Sequence, residues 1–398
     1  MAPGRAATSS GPAEVTAWIH DAVRTPRGKA RPDGGLAGLK PQALIAGLID
    51  ALEARGHDPR AAEALIVGCV GQVGAQGGNI ALVSKLQAGL PDETAAWSVN
   101  NYCVSGLTAI GQAADMVETG RARAVLAGGV EMMSRVPFMA DRADYYADPD
   151  FPPRARYVPV AVAADRLAED IGVTREAMDQ AALVSQTRTA QAEGGPLVAS
   201  RIALAGLEAE ECARPTTIEK LQRLEPAFAE MAVPYAEALE GRTIDHRHTI
   251  AHAPPISDGA GLALVSSDAR GARARIVAHV EVGGDPAASL TAGFTAMDRV
   301  LERAGLSLAD MDRIEFMEAF AVTIVKFLRD RAVDPDRVNV GGGHLAKGHP
   351  MGATGAILLS SLLDALDACD GRYGLVVAAG AQGVGSAMIV ERLATGAR

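Results

Sequence analysis

The chain has 398 residues, 48% hydrophobic and 22% charged, with a formal net charge of −10. That length and balance describe a globular protein of two or three domain-sized units with a large core. The acidic surface argues against nucleic acid as the main partner, although a local basic patch can still hold phosphates.

In chain order, MAPGRAATSSGPAEV (1–15) has no apolar stretch of signal-peptide type, and residues 1–14 read as a disordered tail. AWIHDAVRTP (17–26) starts as a strand and ends in a loop. KPQALIAGLIDALEARG (40–56) has helical apolar spacing and a glycine stop. EALIVGCVG (63–71) reads as a buried strand, and ETAAWSVNNY (93–102) as a short strand running into Cys103. GLTAIGQAADMVETG (106–120) is a helix with small residues on nearly every face, followed by the strand RAVLAGG (123–129). Residues 131–250 differ, with the Pro- and Tyr-rich DYYADPDFPPRARYVP (144–159) and charged helices such as TREAMDQAALVSQTRTAQA (174–192). They read as an insertion. The α/β pattern resumes with a strand at RARIVAHVEVGG (273–284), a helix at TAMDRVLERAGLS (295–307), and DRIEFMEAFA (312–321) as a strand entering a helix. Such alternation predicts a largely parallel sheet covered on both faces. No run reaches the roughly 18 apolar residues of a membrane span.

GRARAVLAGG (120–129) and GRYGLVVAAG (371–380) echo each other without gaps. A small-residue helix precedes each, and before each helix lies an Asn-containing loop, VNNYCVSG (99–106) and VNVGGGHLAKGHPMG (338–352). Two similar halves follow from this order. Their equivalent loops hold Cys103 and His349, which would meet if the halves pair about a pseudo-twofold axis.

Cys103 would lie at a helix N-terminus, where the dipole lowers a thiol pKa and backbone N–H groups can hold an anionic oxygen. The competing reading is a buried structural cysteine. His349 sits among glycines with Pro350 after it, a plausible base for a thiol and also an ordinary turn. Lys347 reads as solvated. Cys69, Cys103, Cys212 and Cys369 are scattered without CxxC or metal spacing, so neither a disulfide framework nor a metal site is expected, and a reducing cytoplasm is.

These segments resemble the thiolases, including acetyl-CoA acetyltransferases and 3-ketoacyl-CoA thiolases. DAVRTPRGK (21–29), NNYCVSGLTAI (100–110), AGGVEMMSRVPF (127–138), SDGAGLALV (257–265) and NVGGGHLAKGHPMGATGA (339–356) carry the resemblance, which spans about 17–393. It implies an α/β fold of five αβαβα layers, made of two similar halves with an inserted loop domain that holds coenzyme A. The expected division is a tail at 1–14, the first half at 15–130, the loop domain at 131–250, a return at 251–272 and the second half at 273–398. The resemblance also implies acyl transfer between coenzyme A thioesters through Cys103, with His349 as base, as in 3-ketoacyl-CoA thiolysis or its reverse, a Claisen condensation. Coenzyme A is substrate and product, no cofactor is tightly bound, and the expected assembly is a homodimer or homotetramer, or a complex with a partner subunit.

The chain departs from the family pattern at several positions. Ala379 stands where a second cysteine acts as acid/base, and Met317 replaces the Asn or His that organises an oxyanion hole. Pro254 and Pro255 alter the loop-domain segment HAPPISDG (252–259), and VPVAVAADRLA (158–168) lacks the family's Met-Gly. Other proton carriers would be His349 itself, Glu318 or His252, with Glu318 more suited to orienting His349 or a water. Arg214, Lys220, Arg223, His252, Phe320 and Ala381 are candidate substrate contacts. Two further readings remain: a decarboxylative condensing enzyme or acyltransferase using only Cys103 and His349, and a non-catalytic acyl-CoA-binding subunit.

Overall fold

A computed structural model describes residues 15–394; the expected 1–14 tail lies outside the described residues. The first half begins with β1 (Trp18–Arg24), β2 (Gly28–Lys29), α1 (Pro41–Ala54), β3 (Ala64–Gly68) and α2 (Ile80–Ala88). It continues with β4 (Ala95–Val99), α3 (Ser105–Glu118) and β5 (Ala124–Met132). The helices α4 (Val160–Asp170), α5 (Arg175–Ala192), α6 (Ile218–Gln222) and α7 (Ala229–Ala232) then intervene before β6 (Ser257–Ser266). The second half holds β7 (Ala274–Gly283), α8 (Ala292–Ala304), β8 (Arg313–Phe316), α9 (Ala321–Asp330), α10 (His344–Lys347), α11 (Thr354–Ala368), β9 (Tyr373–Ala379) and β10 (Val384–Arg392).

The strands run β4-β3-β5-β6-β1-β7-β10-β9-β8, with β2 beside β6. That order is symmetric about the short β1·β7 junction. The pair β3·β5 is parallel, as is β8·β9, while β5·β6 and β9·β10 are antiparallel. Even β4 has a trace of a counterpart, a single parallel bridge from Ile314 to Val338. The echo between 120–129 and 371–380 is therefore β5 against β9.

Both faces of the first half are covered, as its unbroken apolar strands require. Leu65, Val67 and Leu126 point to a core shared with Leu44, Leu48 and Leu52 of α1. Their chain neighbours Ile66, Val125 and Ala127 point the other way, into the larger core that includes Leu107 and Ala114 of α3. Helices α3 and α11 pack on each other and reach strands of both halves, while α8 covers β7, β9 and β10. The layers are thus α1/α2, sheet, α3/α11, sheet, α8.

The central position of α11 explains its composition. Met351–Ala368 is apolar and long enough to cross a membrane, contrary to the expectation from the sequence that no run is, and 89% of it is buried inside the fold. A helix packed on every side is apolar all round.

Candidate active site

Close approach of the two central helices brings the equivalent loops together. A Cβ on Gly106, in the first turn of α3, would lie 2.7 Å from the Gly352 carbonyl oxygen. Only glycine permits that contact, which sets the start of α3 against the segment leading into α11.

Cys103 lies on the turn between β4 and α3. Ser105 Oγ accepts the Asn101 N–H at 2.8 Å and donates to the Tyr102 carbonyl at 2.5 Å. Tyr102 has φ +47°, a left-handed backbone that costs a non-glycine residue about 1–2 kcal/mol. The turn leaves Cys103 half-buried. Burial, and after it the Glu131 carboxylate, push the thiol up to about 12, although the backbone N–H groups of Ala381 and Cys103 pull the other way. This corrects the expectation of a lowered pKa. The helix begins two residues later, and desolvation outweighs the backbone N–H groups that favour the thiolate.

His349 enters from the other half. Its N–H donates to the Pro255 carbonyl at 2.9 Å, and Ile256 bridges to it in parallel register. Thr354 Oγ1 lies 2.7 Å from Nδ1. With the hydrogen on Nδ1, Nε2 keeps its lone pair for a thiol. Burial, and then Arg27, lower the imidazole to about 3, so the ring is neutral and able to accept a proton.

Both side chains open on one cavity of about 480 Å³. Met317, Ala319, Phe320, Ala379 and Ala381 line it too, with Pro254, Pro255 and the start of α4. The structure therefore brings together Cys103, His349, Met317, Ala379, Phe320, Ala381 and Arg214. Lys220 and Arg223 are exposed and do not line this cavity. His252 is a correction: it is buried, with Nε2 on Asp179 at 2.8 Å and Nδ1 accepting the Thr249 N–H at 3.1 Å. Both ring nitrogens are engaged away from the cavity, so it cannot deliver a proton there.

Glu318 also lies off the cavity wall. It accepts hydrogen bonds from Ser185 Oγ (2.9 Å), Asn339 Nδ2 (3.1 Å) and the Leu345 N–H (3.0 Å). A Cβ on Gly343 would fall 2.1 Å from its carboxyl carbon. Glu318 thus anchors the backbone of the His349 loop rather than the imidazole itself. Lys347 is a second correction, buried beside Glu210 and Glu315 instead of solvated, and held down at about 8 by burial and then Arg27.

Two further residues matter that the sequence reading gave no role. Glu131 is fully buried at the end of β5 and accepts from the N–H groups of Val70 (2.9 Å), Gly71 (3.0 Å) and Gly352 (3.0 Å). It ties the loop after β3 to the approach of α11. A lone acidic residue in an otherwise apolar strand was the available signal. Tyr102 is the second; it lines the cavity beside Cys103.

Residues 17–269 match the family described as thiolase, N-terminal domain, and residues 271–392 the thiolase C-terminal domain. The chain is 33% identical to a beta-ketoadipyl-CoA thiolase of Escherichia coli, over 95% of this chain and 99% of that one. It is also 33% identical to a steroid 3-ketoacyl-CoA thiolase of Mycobacterium tuberculosis, over 95% and 94%. The crystal structure of human mitochondrial 3-ketoacyl-CoA thiolase superposes with a TM-score of 0.83 at 28% identity, covering 96% of this chain and all of that one (100%).

Proposed function

The chain belongs to the thiolase family, and from that membership we propose that Cys103 is its acyl carrier and His349 the base that frees the thiol. The protein is an acyltransferase that moves acyl groups between coenzyme A thioesters. One observation supports these roles above the rest: a cysteine and a neutral histidine from different halves share one apolar cavity.

In this reading His349 Nε2 takes the Cys103 proton as sulfur attacks the acyl carbonyl. The carbonyl oxygen develops negative charge and is met by the Cys103 and Ala381 N–H groups that face the sulfur. The leaving group departs as an anion and takes up a proton, which the coenzyme A thiol replaces as it attacks the acyl-Cys103 thioester. His349 returns the proton to the Cys103 sulfur. The imidazole is neutral before the step, so its free nitrogen can accept the proton as the sulfur attacks.

Incubation with acyl-CoA donors followed by mass analysis of the Cys103 peptide tests the assignment. The expected result is an acyl adduct that Cys103→Ala abolishes and His349→Ala slows about 100-fold or more. No adduct across short and long donors overturns it and leaves the non-catalytic subunit.

The cavity wall also suggests the acyl class. Phe138, Phe228, Met231, Ile250, Ile256 and Leu290 make it largely apolar, with Arg214 as a charged member of its wall. A hydrocarbon acyl chain fits it better than one ending in a carboxylate, such as the adipyl group named for the Escherichia coli relative. At equal chain length the hydrocarbon substrate should show kcat/KM about tenfold higher or more. Arg214 also borders an outer cleft with Gln186, Thr187 and Pro215, so we assign it to coenzyme A. Residues 131–250 would form the coenzyme A-binding loop domain. Lys220 and Arg223 fit at most the exposed end of that ligand.

A second reading is favoured by Ala379 and Met317, which line the cavity and cannot carry a proton. Decarboxylative condensation makes its carbanion without a base. Acyl loading without thiolysis of 3-ketoacyl-CoA would support it. A gain in thiolysis from Ala379→Cys with Met317→Asn would place those positions at the reacting carbon. β4 is an edge strand, a surface suited to pairing in the homodimer or homotetramer that we expect in the cytoplasm.

A further inference from the structure

Carbon–carbon cleavage needs a proton for the carbon that leaves, beyond the one His349 shuttles for Cys103. The proton-bearing side chains on the cavity wall are Tyr102, Cys103, Arg214 and His349. Arg214 stays charged, and Cys103 and His349 are occupied with each other.

We propose that Tyr102 is the acid that protonates the leaving carbon, a role that rests on Cys103 being the acyl carrier. Its placement is over-determined. The backbone is held at φ +47° by Asn100 Oδ1, which accepts the Tyr102 N–H at 3.1 Å, and by Ser105 Oγ on its carbonyl at 2.5 Å. Left-handed non-glycine residues persist only where the surroundings enforce them. Its Cβ lies 3.2 Å from where a Cβ on Gly380 would stand, so Tyr102 packs against the segment between Ala379 and Ala381. Burial, then Tyr145, Asp141 and Cys103, raise the phenol above its ordinary value and keep it protonated.

The protons balance. Cys103 gives its proton to His349 and attacks the 3-keto carbon. The C2–C3 bond breaks, and the acetyl-CoA enolate takes the Tyr102 hydroxyl proton. Incoming coenzyme A gives its thiol proton to the Tyr102 phenolate and attacks acyl-Cys103. The released Cys103 sulfur recovers its proton from His349.

The test follows solvent deuterium entering the acetyl methyl group of acetyl-CoA, alongside the Cys103 adduct mass. Wild type should form the adduct and exchange. Tyr102→Phe should still form the adduct while exchange falls about 100-fold or more, and adding Ala379→Cys should restore it. Exchange in Tyr102→Phe at the wild-type rate overturns the role of Tyr102 alone, as does a wild type that loads without exchanging. No adduct in wild type overturns the Cys103 assignment instead. Should Tyr102→Phe not fold, 3-fluorotyrosine at position 102, isosteric and more acidic, decides. The exchange pH profile should move to lower pH, and an unmoved profile overturns the proposal.

Discussion

Cys103 shows how much a residue's neighbours change its chemistry. Burial and the nearby Glu131 carboxylate raise the thiol to about 12 instead of letting it fall. The thiolate share then grows about tenfold per pH unit throughout the working range. Alkylation of the Cys103 peptide by iodoacetamide should keep climbing from about pH 7 to about pH 10 without a plateau. A plateau near neutrality would mean an activated thiolate. His349 was legible as a candidate from its Gly-Pro setting. Its neutrality was not, because burial and Arg27 produce it, and Arg27 lies far away in the chain. The engagement of His252 was not legible for the matching reason, since Asp179, which holds its ring, lies on α5, far from it in the chain.

At the scale of elements, α1, α3, β5, α5, α8, α11 and β9 were readable from periodicity and small-residue stops. Gly305, for example, ends α8 in a left-handed conformation as a C-terminal glycine should. β5 runs to Met132, three residues past the expected end, because β6 supplies partners as far as Asp258. Two approaches then set the site, that of α3 to α11 through Gly106 and that of the His349 loop to Glu318 through Gly343. Gly106→Val would push a side chain into the Gly352 backbone and should cost about 1–3 kcal/mol or more. The measurement is the urea midpoint. Unchanged stability would mean the helices can part freely. Gly343→Ala should lower acyl loading of Cys103 while leaving coenzyme A binding, because it displaces the anchor of the His349 loop.

Across the molecule, a buried group of charges underlies the His349 loop. Arg24 pairs with Glu210 at 2.6 Å, both side chains fully enclosed, with Arg27, Lys347 and Glu315 nearby. Burial raises the Glu210 carboxyl, but Arg24, Arg27 and Lys347 outweigh it and hold the group at about 2. A depressed folded pKa contributes stability above the unfolded value of 4.5, and that stability is lost as pH falls toward about 2. Glu210→Gln should cost about 3–5 kcal/mol at neutral pH by leaving Arg24 unpaired. It should also flatten the fall in stability between about pH 4.5 and pH 2, as followed by urea unfolding.

The amino-acid order by itself outlined the two-half α/β plan and the intervening segment, and marked the Cys103 and His349 loops as equivalents that could meet. Each of these is written locally, in apolar period, glycine stops and an internal echo. Only the tertiary structure decided which charges are buried, that Glu318 serves the loop rather than the imidazole, and that Tyr102 reaches the cavity beside Ala379. Those properties depend on desolvation and on contacts between residues hundreds of positions apart, which no local pattern encodes.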